Sequence, residues 1–66
     1  MTAVYNGYKD GFVRAVITGE NGLWLLCVPA GDAIVVEVES KTLLGAKQAW
    51  GRLSGSGTKW ALCYSE

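Results

Sequence analysis

The chain has no histidine, a single proline and only two cysteines among its 66 residues. Histidine is the side chain most often used for proton transfer near neutral pH and a common zinc ligand, so its absence removes the usual sites of both kinds. Cys27 and Cys63 stand far apart and are too few to form a metal cluster. The sequence therefore predicts no catalytic residue, no metal and no cofactor, and hence a protein that is not an enzyme.

Charge of one sign is also missing, because six basic residues balance six acidic ones without a run of either. A neutral chain lacks the basic surface for sequence-independent nucleic-acid binding, and it lacks the acidic surface of a DNA mimic. No apolar stretch approaches the length of a membrane span, and the N-terminus lacks the pattern of a secretory signal. We therefore expect no direct contact with nucleic acid, no membrane contact and a cytoplasmic location, with both thiols reduced.

Apolar residues are abundant: they make up 50% of the chain and include three Trp, three Tyr and one Phe. A chain of this length forms one domain, here residues 1–66, and buries only about 60% of the surface that its unfolded form exposes. A homodimer would supply burial that one small core cannot, and at this point monomer and homodimer both stay open.

Hydrophobic periodicity predicts an α+β fold with the order β-β-β-β-α-β, in which one helix packs on a curved antiparallel sheet of four to five strands. The helix has Ser40 as its expected N-cap, and the apolar run over residues 23–28 predicts a strand covered on both faces. Trp24 and Trp50 are expected in the core. The predicted strands cover residues 2–8, 12–18, 23–28, 33–39 and 58–64, and the predicted helix follows its N-cap at Ser40 and has its apolar stripe over residues 43–53.

Strand alternation makes further predictions about faces. It places Ile34, Val36 and Val38 on one face of their strand, with Glu37 and Glu39 together on the other. It likewise places Trp60, Leu62 and Tyr64 on one face of the last strand. The two tyrosines near the N-terminus, Tyr5 and Tyr8, are expected to form an exposed aromatic patch.

Two motifs invite a catalytic or binding interpretation that the chain does not support. Residues 55–59 (GSGTK) resemble a phosphate loop, but such a loop follows a strand and opens a helix, whereas here the predicted helix comes first. We interpret these residues as a helix-to-strand connection. Glu37 and Glu39 form a carboxylate pair with no predicted cleft, so we interpret them as a solvated or partner-facing strand surface.

The second half of the chain resembles a pattern in small phage-encoded proteins that inhibit bacterial CRISPR systems. The pattern is a strand and the segment that follows it (VEVESKTL, residues 36–43), a short helix with an Ala-Lys pair (AKQA, residues 46–49) and a strand with Trp (TKWAL, residues 58–62). The resemblance implies a non-catalytic protein that binds a defence complex and blocks its nucleic-acid site or a conformational step. It transfers no functional residue, and this neutral chain departs from the strongly acidic members.

Together these observations predict a phage or mobile-element protein that binds and inhibits a host protein complex. Aromatic and charged residues dominate binding hot spots and their rims, which gives the expected partner-binding residues. Two alternatives stay open: an oligomeric protein that sequesters a signalling nucleotide, with Lys59 and the amides of residues 55–57 on the phosphate, and a minor structural or assembly subunit. The expected partner-binding residues are Tyr5, Tyr8, Lys9, Arg14, Glu37, Glu39 and Trp60.

Overall fold

The computed structural model describes residues 2–66, and it confirms the α+β class and the predicted order of elements. Five strands form one antiparallel sheet in the spatial order β4-β3-β2-β1-β5, so β4 and β5 lie at opposite edges. Because α1 connects these two edges, it crosses one face of the sheet. The elements are β1 (Thr2–Lys9), β2 (Phe12–Glu20), β3 (Leu23–Ala30), β4 (Ala33–Ser40), α1 (Leu43–Ser54) and β5 (Lys59–Ser65).

Tight turns join the first three strands. Asp10-Gly11 and Asn21-Gly22 all have positive φ, between 54° and 81°, which is the backbone of the two-residue hairpin turns that suit strand twist. The predicted turn over residues 19–22 is thus shorter in the structure, because Gly19 and Glu20 belong to β2. The chain therefore forms two hairpins, β1–β2 and β3–β4, joined by the β2–β3 turn.

The core lies between α1 and the sheet face that it covers, which we call the helix face. Small residues on α1 (Ala46 and Ala49) allow the helix to approach the sheet closely, and the Trp50 indole Nε1–H donates to Thr58 Oγ1 at 2.9 Å, which ties α1 to the start of β5. The buried cluster is completed from β2 and β3, and it consists of Ala15, Ile17, Leu26, Ala46, Ala49 and Trp50.

Two glycines give the large aromatic side chains room on the helix face. A Cβ on Gly7 would lie 2.8 Å from the Trp60 ring, and one on Gly19 would overlap the Trp24 ring. Trp24 consequently reaches across β2 towards Tyr5, with ring centroids 6.1 Å apart. Trp24 and Trp60 are both partly buried against the core, as expected for Trp24.

The helix begins later than the sequence suggested. Its N-cap is Thr42, whose Oγ1 accepts a hydrogen bond from the Gly45 amide at 3.0 Å, so the prediction of Ser40 as N-cap is wrong. Ser40 Oγ instead accepts from the Thr42 amide at 3.3 Å and stabilises the approach to the helix. A capping hydroxyl satisfies an amide of the first helical turn only from the residue directly before the helix, which here is Thr42.

Both edge strands contain a bulge that changes which residues share a face. In β4, Val38 pairs with Leu26 but Val36 pairs with Cys27, which leaves Glu37 as an extra residue. In β5, Leu62 pairs with Tyr5 but Tyr64 pairs with Val4, so Cys63 is extra. The predictions that Val36 shares a face with Val38, and Tyr64 with Leu62, are therefore wrong, because an inserted residue reverses the alternation.

The prediction that the run over residues 23–28 is covered on both faces is also wrong. Leu26 is fully buried on the helix face, whereas Leu23 is 41% exposed and Leu25 is only half-buried. The single helix covers only one face of the sheet. The opposite face, which we call the open face, has no element of residues 2–66 packed on it.

Candidate functional site

A cleft separates the two hairpins at the end of the sheet where their own turns lie. β2 pairs with β3 only from Val16↔Cys27 to Glu20↔Leu23, although each hairpin continues to its turn, at Lys9↔Phe12 and Ala30↔Ala33. The hairpins therefore diverge beyond Val16 and leave a cleft of about 470 Å³. Its lining comprises Lys9, Asp10, Val13, Arg14, Val28, Pro29, Trp50 and Ser54.

The cleft combines cations with an apolar wall. Lys9 Nζ donates to the Ser54 carbonyl oxygen at 3.0 Å, where the end of α1 leaves carbonyl groups without helical partners. The Arg14 guanidinium is exposed and lies 5.4 Å from the centroid of the Phe12 ring. Asp10 is the one acidic residue in the lining against these two bases. The cleft thus has a net positive charge beside apolar side chains.

The open face is a second, larger surface, and the strand register gives its layout. One row across the sheet is Tyr64, Val4, Thr18, Leu25 and Glu39, and the next is Ala61, Asn6, Val16, Cys27 and Val36. A third row, at the cleft end, contains Lys59, Tyr8 and Val13, with Ile34 on β4 beyond the cleft. Most of these side chains are apolar, and Ile34, Val36 and Tyr64 are 50% exposed or more.

A fourth, shorter row contains Thr2, Glu20 and Leu23, so the ionised side chains in these rows are Lys59, Glu39 and Glu20. Lys59 and Glu39 occupy diagonally opposite corners. Lys59 lies on β5 at the cleft end of the sheet, and Glu39 lies on β4 near the other end. Both are exposed. The open face therefore has an apolar centre, a positive corner at Lys59 and negative charge at the opposite end, from Glu39 and Glu20.

The structure brings some of the predicted partner-binding residues together and separates others. Lys9 and Arg14 line the cleft, and Tyr8 lies at the same end of the sheet on the open face. Glu37 sits in the bulge of β4, and Glu39 lies on the open face far from the cleft.

Tyr5 and Trp60 both lie on the helix face. The expectation of a joint Tyr5–Tyr8 patch is wrong, because residues three apart on a strand point to opposite faces. Tyr5 is instead held between Trp24 and Lys47, whose Nζ lies 5.5 Å from the ring centroid. Trp60 packs against the core over Gly7.

The apolar side of the cleft was missed by sequence reasoning. Val28 and Pro29 form it, and both belong to β3 beyond the last residue paired with β2. The proline was the available signal, because a residue without an amide hydrogen cannot continue a ladder on both sides. A break in the pairing between β2 and β3 could have been placed there.

The remaining motifs hold no ligand geometry. Residues 55–57 connect α1 to β5, as interpreted from the sequence. Cys27 is buried, Cys63 is exposed, and both are free thiols. Across residues 2–66, no group of three His, Cys, Asp or Glu side chains could hold a metal ion, and no helix has the length and hydropathy needed to cross a membrane.

Comparison with protein families, curated proteins and solved structures finds no match to this chain.

Proposed function

We propose that this protein is a non-enzymatic, phage-type inhibitor that acts like an anti-CRISPR protein: it binds a host defence protein complex through the cleft and blocks it by occupancy. The observation that carries the proposal is the composition of the cleft, where Lys9 and Arg14 lie beside Val28 and Pro29. An arginine next to a desolvated apolar surface is a common anchor of protein–protein contacts.

The charge of the cleft specifies the chemistry of the partner segment. Two bases against one acid favour a carboxylate, and Arg14 can bind it through two parallel N–H donors. The Val28 and Pro29 wall favours an apolar side chain next to that carboxylate. We therefore expect the host protein to insert an exposed segment in which an acidic residue adjoins an apolar one.

A charge-reversal variant tests this proposal. Arg14→Glu replaces a base of the cleft with a carboxylate, which should repel the acidic residue of the partner segment. The core should not change, since Arg14 is exposed. Host cells with active CRISPR interference that express the unaltered protein should admit a targeted phage, and cells that express Arg14→Glu should restrict it again. Binding of the captured host complex should fall at least about tenfold, as is usual for a lost hot-spot arginine.

The matched control is Lys41→Glu. Lys41 is also an exposed base, but it precedes α1 at the opposite end of the sheet from the cleft. The control should inhibit interference as the unaltered protein does. Equal inhibition by all three proteins would show that the cleft is not the contact, and no inhibition by the unaltered protein would contradict the proposed function.

A small anionic ligand such as a signalling nucleotide is the second candidate, because a volume of about 470 Å³ lies in the range of small-molecule sites. A ligand that binds only the folded protein raises its thermal midpoint. Stabilisation by millimolar cyclic nucleotide that disappears in Arg14→Glu would favour this candidate over the host protein. No shift at that concentration would remove it.

A further inference from the structure

We infer that the open face is the interface of a homodimer in which two copies stack face to face with their strands nearly perpendicular. This inference concerns a surface other than the cleft and does not depend on the proposed function. It rests on three properties of the face: its size, the bulges at its edges and the positions of its charged side chains.

The size of the face fits a stable dimer. Five strands spaced about 4.8 Å apart, with three rows of side chains about 6.8 Å apart and a fourth row on three of the strands, present roughly 600 Å² per copy. Two stacked copies would bury about 1,200 Å² in total, which reaches the lower end of stable, specific interfaces. Val16 and Leu25 lie in the middle of this surface and are half-buried by their neighbours, so a flat partner can cover them without rearrangement.

The edges of the sheet favour stacking over strand addition. Exposed β4 and β5 backbones would otherwise allow a second copy to extend the sheet edge to edge. The extra residues Glu37 and Cys63 interrupt the regular spacing of hydrogen-bonding groups along these strands. Bulges of this kind protect sheet edges from added strands. The apolar face is therefore the surface that a second copy can occupy.

The two charged corners determine how the copies are rotated. A two-fold axis in the plane between the sheets can run along the strands, across them or along either diagonal. An axis along the strands places Lys59 opposite Ile34 and Glu39 opposite Tyr64 of the second copy, and an axis across them places Lys59 opposite Tyr64 and Glu39 opposite Ile34. The diagonal through Lys59 and Glu39 places each of these side chains opposite the same residue of the second copy. The other diagonal, from the Ile34 corner to the Tyr64 corner, brings Lys59 opposite Glu39 of the second copy, twice by symmetry.

The same rotation matches the rest of the face. Val16, in the central row of the central strand, meets Val16 of the second copy. Asn6 comes opposite Thr18 of the second copy, so these polar side chains meet each other and not apolar ones. Strands related by this axis cross at nearly 90°, which is one of the two established ways that sheets pack.

A charge exchange tests both the interface and its geometry. Lys59→Glu and Glu39→Lys each turn two attractive pairs into repulsive ones, and each should raise the dimer Kd at least about tenfold. The double variant restores opposite charges across the axis and should recover most of the original Kd. Sedimentation equilibrium of the purified full chain at micromolar concentration gives all four values.

Further variants separate the interface from folding and from the host contact. Val16→Glu should give a folded monomer, shown by an unchanged far-ultraviolet circular dichroism spectrum, whereas Leu44→Glu, on a 64% exposed helix residue, should stay dimeric. If Val16→Glu does not fold, the charge exchange decides alone. A monomeric unaltered protein would overturn the inference, as would a double variant no tighter than the single ones or capture of a host protein by the open face in place of a second copy. The cleft variant Arg14→Glu should remain dimeric whatever its effect on inhibition.

Discussion

At the scale of single residues, glycine decides where the aromatic side chains of the helix face can lie. Trp24 crosses β2 above Gly19 and reaches Tyr5, a path that any side chain on Gly19 would block. Trp60 uses Gly7 in the same way on β1. Two large aromatic side chains can therefore lie flat against the sheet beside a short helix.

Exchanging Gly19 for alanine should therefore destabilise the protein, in contrast to the usual effect of this exchange. The new methyl group would overlap the Trp24 ring, and overpacking of this kind costs about 1–3 kcal/mol. Gly51→Ala is the matched control: Gly51 lies in α1 with open space at its Cβ position, so this exchange should stabilise by about 0.5–1 kcal/mol. Urea unfolding of both variants measures the two free energies, and a loss of stability in Gly51→Ala or none in Gly19→Ala would contradict the packing described.

At the scale of elements, α1 depends on its cap because its own sequence is a weak helix former. Its 12 residues include Gly45 and Gly51, and its first turn has no acidic side chain to interact with the helix dipole. The Thr42 hydroxyl satisfies the Gly45 amide. Thr42→Ala should lower the free energy of unfolding by about 1 kcal/mol, whereas Thr42→Ser, which keeps the hydroxyl, should lower it by less than half of that. Equal losses in the two variants, measured by urea unfolding, would show that the hydroxyl is not the stabilising group.

Sequence patterns predicted the elements well but not the faces of the edge strands. The order of elements and the burial of Trp50 follow from periodicity and turn residues, which act locally. The bulges at Glu37 and Cys63 depend on how each edge strand pairs with its neighbour, and nothing local distinguishes them from regular alternation. For this reason the sheet faces predicted for the Val36 and Tyr64 side chains were wrong. Of the cleft, Lys9 and Arg14 were predicted as binding residues, but their meeting with Val28 and Pro29 arises only from the divergence of two hairpins.

At the scale of the whole molecule, the one helix and five strands formed by residues 2–66 leave two surfaces for contact. The helix covers a single face, so the open face remains for a second copy, and the divergence of the hairpins leaves the cleft for a partner segment. These surfaces meet at Val13, but Lys9, Trp50 and Ser54 line the cleft on the helix side of the sheet, so a partner segment can enter there while the open face is covered. A dimer would therefore present two cleft ends to a host complex, which raises avidity when both can engage.

The divergence of the hairpins should be visible in the pattern of amide hydrogen exchange. Over Val16–Glu20, β2 has a strand on either side, so every amide has a backbone acceptor within reach. Over residues 12–15, β2 has a strand only on the β1 side, and a bulge that leaves Arg14 without a partner on β1 interrupts the alternation there, so the amides that point into the cleft have no acceptor on β3. Exchange measured by nuclear magnetic resonance should therefore be slow at all residues of 16–20 and fast at the amides of 12–15 that point into the cleft. Stacking of two open faces uses side chains and leaves these amides fast, whereas a strand paired into the cleft would protect them. Uniformly slow exchange over 12–20 in the isolated protein would show that the hairpins stay paired to their turns and that the cleft is closed in solution.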